Sequence, residues 1–262
     1  MLALVLSAAE DDGFVPPGTK DFDLPPIIEG VEWFTKPVLL VMVSVVLISV
    51  FFVLSARKAA VVPSKFQFAG ESIYGFVRND LAKDIIGHEF MRFVPYLFTL
   101  FTFILVNNLF GIIPLIQFPT MSHVSFPYVL ALSTYLVFHY VGIRKQGAFK
   151  YFKEILFMPG VPKAAYILIT PLELLTFFLV RPLTLSLRLF ANMFAGHLLL
   201  TTFTLAAYYL LSPSIIGVLG SVTSFGVTVV LTGFEMFIQG LQAFIFTLLT
   251  AVYIGGSLHA EH

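Results

Sequence analysis

The chain has 262 residues, of which 58% are hydrophobic and 11% charged, with a mean hydropathy of +0.93. That is far more apolar than a soluble globular domain of this length, and it reads as an all-α integral membrane protein. The formal net charge is zero, so no global field points to nucleic acid, and the absence of cysteine excludes disulfide frameworks, thiolate catalysis and cysteine-ligated metals.

Residues 1–36 carry seven acids (Glu10, Asp11, Asp12, Asp21, Asp23, Glu29, Glu32) against two lysines, with prolines at 16, 17, 25 and 26. They are expected to form a polar, loosely ordered tail. Its start, MLALVLSAAEDD, has an apolar run but no basic n-region, so it is at most an atypical signal segment. The remainder, 37–262, is expected to be one membrane domain. Trp33 and Phe34 precede an uncharged run, Pro37–Ala56, whose 20 residues suffice to span. Arg57 and Lys58 close it. A polar segment up to Arg92 has apolar positions at helical spacing and is expected to form an interfacial amphipathic helix. The second span is expected over 93–114, with Asn107 and Asn108 inside it, and the third over 124–143, with His139 read as a packed histidine. The basic stretch 144–163 fits a segment lying on the membrane surface. Eleven of the fifteen Lys and Arg residues fall in 57–92 and 144–163, which assigns both to the cytoplasmic side and the acidic N-terminus to the outside.

From Ala164 to Leu258 the formally charged residues are Glu173, Arg181, Arg188 and Glu235. The strong break is LSPSIIG around Pro213. Two long helices, about 164–211 and 214–258, are therefore expected. As helices, Leu183–Leu211 would be about 43 Å long and Ile215–Leu258 about 66 Å, against a hydrocarbon core of about 30 Å. Both must tilt strongly and form a helical hairpin. About five crossings then leave the C-terminus in the cytoplasm.

A cation inside hydrocarbon faces a partner or water. Thr184, Arg188, Asn192 and Ala195 fall on one helical stripe, whereas His197 lies half a turn from Arg188. Glu235, Gln239, Gln242 and Phe246 form a second stripe, on the last helix. Arg188 could pair with Glu235 as a buried structural ion pair, or meet a carboxylate on another chain. Four ionisable groups with amides on two adjoining helices favour a hydrated proton path. Histidine and a carboxyl group can accept and release a proton near neutral pH, whereas arginine stays charged. Ala191, Ala195 and Gly196 beside the cationic stripe allow another helix to come close.

At these residues the chain resembles the subunit a family of the F-type ATP synthase membrane sector. The matching stretches are PLTLSLRLFANMFAGHLL (182–199), LQAFIFTLLTAVYI (241–254), LVNNLFGIIP (105–114) and LELLTFFLVRP (172–182). The resemblance implies a stator protein, without a catalytic site or cofactor of its own, whose two tilted helices press on a rotating c-subunit ring. It also implies stator b subunits as partners, with lipid around and protons as the transported species. Arg188 is implied to face each ring carboxylate with Gln242 near it, and Asn192 and Gln239 continue the two polar stripes. His197 and Glu235 are implied to line the inlet half-channel with Asn107 in its outer vestibule, and Glu173 and Arg181 to support the arginine or the outlet. The setting expected is a bacterial plasma membrane, the alternative being the mitochondrial inner membrane. A secondary transporter would show two related halves, which are not visible. GHEF at 87–90 lacks the second histidine of a zinc motif, and no metal site is expected.

Overall fold

The computed structural model describes residues 17–22, 24–28, 30–57, 60–113, 116–156, 166–212 and 214–258, without the side chains of residues 20, 21 and 154. The signal-like start, Lys58 at the end of the first span, the last part of the basic stretch from residue 157, Pro213 and the C-terminal HAEH lie outside these. Among the described residues every regular element is helical.

Helix α1, Lys36–Ala56, is the first expected span. Its valine-rich run costs little helical stability in lipid, because no water competes for the backbone and each N–H must bond within the segment. Helix α2, Lys65–Phe76, starts at Ser64, whose side chain accepts from the Gln67 backbone N–H at 3.3 Å. It continues through a π turn, Val77–Lys83, a short α turn, Asp84–Ile86, and a 3-10 turn, Gly87–Arg92. Val77, Leu81, Ala82 and Ile86 are buried along this stretch, while Glu71, Arg78, Asp80 and Lys83 are exposed, the division expected of an amphipathic surface segment.

Helix α3, Val94–Leu109, is shorter than the expected span 93–114. After Leu109 the chain turns, with the N–H groups of Gly111 and Ile112 donating at 3.0 Å to the carbonyls of Asn108 and Leu109. The turn is as apolar as the helix before it, so composition alone did not reveal the end. Helix α4, Ser125–Gln146, runs three residues past the expected Ile143 and stops at Gly147, whose φ of +83° suits glycine. Helix α5, Ala148–Leu156, gives the basic amphipathic stretch its helical form.

Helix α6, Tyr166–Leu175, passes through a π stretch, Thr176–Val180, into helix α7, Arg181–Tyr209. Helix α8 is Ile215–Leu258, 44 residues. Helix α1, helix α4, the continuous Tyr166–Tyr209 and helix α8 are each long and apolar enough to cross a membrane, while the apolar helix α3 has 16 residues. At 1.5 Å per residue the two 44-residue helices are about 66 Å long, more than twice a hydrocarbon core, and they fit a bilayer only when tilted.

The chain folds into two compact units: residues 1–46, 105–123 and 190–242, and residues 47–104, 124–189 and 243–262.

Candidate proton-handling sites

In the first unit, one face of helix α8 carries Glu235, Gln239 and Gln242, which are 5%, 0% and 3% exposed. Their spacing of four and three residues puts the three polar heads on one line inside an apolar helix. The Gln239 amide donates to Glu235 Oε1 at 3.2 Å, and the Asn192 amide of helix α7 donates to Gln242 Oε1 at 2.9 Å. Gly196 lets the two helices meet at the acid: a Cβ built there would come within 3.1 Å of Glu235 Oε1.

Helix α3 contributes its last turn, and the two adjacent asparagines separate. Asn107 is fully buried; its amide donates to Ser44 Oγ at 2.9 Å, and its side-chain oxygen accepts from Thr120 at 2.9 Å. It ties helix α1 to the loop after helix α3. Asn108, equally buried, donates to the Gln239 carbonyl at 3.2 Å, so it is the asparagine that reaches the polar face of helix α8.

Among the described residues of this unit, Asn108 Oδ1, Glu235 Oε2, Gln239 Oε1, Gln242 Nε2 and His197 Nδ1 are buried without a hydrogen-bond partner. Buried polar atoms are nearly always bonded to protein or water, so this concentration calls for internal water. Two clefts supply the room. One, about 340 Å³, is lined by Glu235, Asn192 and Gly196 among apolar neighbours. The other, about 210 Å³, is lined by His197, Gln117 and four threonines, at 201, 204, 228 and 232. His197 and Glu235 thus open to different clefts, and no hydrogen bond joins them. Gln117 has a φ of +41°, the one positive φ of a non-glycine among the described residues.

The second unit holds Arg181 and Arg188. Arg181 Nη2 lies 3.5 Å from Glu173 Oε1, and its guanidinium lies over the Phe177 ring at 4.4 Å and the Tyr253 ring at 5.6 Å. Residues eight apart in a regular α-helix are about 80° apart in rotation. The π stretch between Glu173 and Arg181 has wider turns, which reduces that angle and brings the pair to one side. Arg188 is exposed, and among the described residues its side chain has neither an ion pair nor a hydrogen bond. The stripe it belongs to, Thr184, Arg188, Asn192 and Ala195, is exposed at every position. His139 is packed: its Nδ1 lies 3.1 Å from the Tyr151 hydroxyl, and its ring stacks on Phe178.

A sequence profile described as the ATP synthase A chain matches residues 38–255. The chain belongs to the ATP synthase A chain family. Proteins named ATP synthase subunit a from Pseudarthrobacter chlorophenolicus and from a Nocardioides species are 49% and 47% identical to it, the alignments covering 100% and 99% of this chain and 99% of each relative. A third, from Streptomyces lividans, is 40% identical over 95% of this chain and 89% of its own length. Within this ATP synthase family member, the residues to which the sequence alone assigned no site role are Asn108, Gln117 and the four cleft threonines. The threonine spacing, 201 and 204 on one helix and 228 and 232 on the next, was the available signal.

Proposed function

We propose that this integral membrane protein is the stator subunit that forms two proton half-channels against a rotating c-subunit ring, coupling proton flow to rotation and ATP synthesis. It sits in a bacterial plasma membrane, with the N-terminus outside, the C-terminus in the cytoplasm, and b subunits completing the stator. The observation that carries this reading is Arg188: a permanent cation, exposed on helix α7 beside alanines and with no acid of its own among the described residues. An exposed guanidinium facing lipid is costly, so its counterpart belongs to another chain.

Protons enter on the outer side through the water-bearing inlet lined by His197, Glu235, Gln239 and Asn108, with Asn107 holding its wall. They neutralise a ring carboxylate, which then crosses lipid uncharged. On arriving at Arg188 the carboxylate is favoured in its ionised form and releases its proton to the inner half-channel, near Glu173 and Arg181. Gln242 and Asn192, bonded to each other, hold the polar surface where helices α7 and α8 meet in the first unit. The fixed positive charge of Arg188 also repels a proton that would pass from inlet to outlet without riding the ring. Each charge crossing yields about 2.3 kcal/mol per 100 mV, so several crossings drive one synthesis. The test is Arg188→Ala in the assembled complex. Loss of proton-driven ATP synthesis with retained assembly is expected; normal synthesis would end the proposal.

A further inference from the structure

The acidic N-terminal tail has no part in the path described so far, yet it is anchored to it. Phe22, within the 3-10 turn Thr19–Phe22, is 6% exposed. Its ring packs on Phe194 at 4.6 Å, meets the His197 ring edge-on at 5.7 Å and touches Phe118 at 6.5 Å between centroids. Its carbonyl oxygen lies 2.9 Å from His123 Nε2 and accepts from it in the tautomer that carries the proton there. Leu24, two residues on, packs against the buried cluster of Leu40, Phe110 and Phe118. The segment is therefore fastened at Phe22, by its carbonyl and its ring, and again at Leu24. His197 lines its threonine cleft, and Phe22 is not among the residues lining that cleft.

We propose that Phe22 is a positioning residue for His197, and that the segment Thr19–Phe22 is a strap which excludes water from the histidine on the side away from its cleft. An imidazole held edge-on by the Phe22 ring, itself backed by Phe194, keeps one orientation, and its proton exchange is confined to the cleft. This inference rests on the proposed role of His197 in the inlet.

The chain has no cysteine, so single thiols report on the strap directly. In the detergent-solubilised complex carrying His197→Cys, labelling by a small charged thiol reagent is expected to rise roughly tenfold or more when Phe22→Ala is added, and to stay near the starting rate with Phe22→Leu. A Thr250→Cys control, buried in the other unit, is expected not to respond. An unchanged rate at residue 197, or an equal rise at 250, overturns the strap. If the Phe22→Ala chain does not assemble, His123→Ala, which removes the tie on the Phe22 carbonyl, carries the same comparison. With native His197, ATP-driven proton pumping in vesicles is expected to fall in Phe22→Ala and recover in Phe22→Leu. Unchanged pumping overturns the positioning role. If labelling responds but Arg188→Ala still makes ATP, the channel reading fails while the strap stands.

Discussion

Asn107 and Asn108 are neighbours of the same type, yet their surroundings assign them different work. Asn107 has its amide and its side-chain oxygen bonded to Ser44 and Thr120, so Asn107→Ala removes a buried tie between helix α1 and the loop after helix α3. A loss of about 1–3 kcal/mol in stability is expected, measured as thermal inactivation of the complex. Asn108 keeps an unpartnered oxygen beside the helix α8 stripe, so Asn108→Leu is expected to lower proton conductance more than it lowers thermal stability. Equal effects of the two substitutions on conductance would contradict the division. At the same scale, exchanging His197 and Glu235 is expected to preserve more ATP-driven pumping than removing either, since the exchange keeps a proton-accepting group at each cleft. A double exchange no better than the single removals would separate them functionally. The stripes around Arg188 and Glu235 were legible in the sequence because a period of 3.6 in polar residues stands out against hydrocarbon. Which of two adjacent asparagines reaches the stripe was not, because that depends on how helix α3 is rotated against helix α8. Phe22 was hidden for a plainer reason: it is one of 30 phenylalanines.

Among the elements, helix α5 shows how a surface helix is seated. Tyr151 is 3% exposed and fills the place of a missing side chain at Gly142, where a Cβ would run into its ring. Gly142→Ala is expected to unseat helix α5 at a cost of roughly 1–3 kcal/mol, read as faster proteolysis around residues 148–156. Burial pushes the Tyr151 phenol up to about 12, against an ordinary value of 10.0. A raised phenol favours folding while it is protonated, so the seating is complete below pH 10 and is lost as the pH rises through about 12. Amide exchange of helix α5 followed from pH 8 upwards checks this. Constant protection through that range, or loss well below pH 10, would contradict it. The long apolar runs made helices α1 and α8 legible almost to the residue, since neither holds a proline past its first turn. The end of helix α3 at Leu109 and the π stretch at Thr176–Val180 were not legible, because both are changes of hydrogen-bond register within unchanged apolar composition.

At the scale of the whole molecule, the exposed face of helix α7 combines one cation with small residues, a poor surface to offer lipid and a good one to offer a close-packed helix. The family assignment and the membrane class were both visible in sequence, the first from ordered motifs and the second from composition. The most direct measurement is disulfide trapping in the complex, this chain having no cysteine of its own, with single cysteines at Ala191 or Ala195, both exposed beside Arg188, and at the buried Met193 as control. Each is paired with a cysteine placed next to the carboxylate of the ring subunit. Adducts with the ring from Ala191 and Ala195 and none from Met193 are predicted. No ring adduct from either alanine, in a complex that still makes ATP, would contradict the claim that Arg188 meets its partner on a moving neighbour.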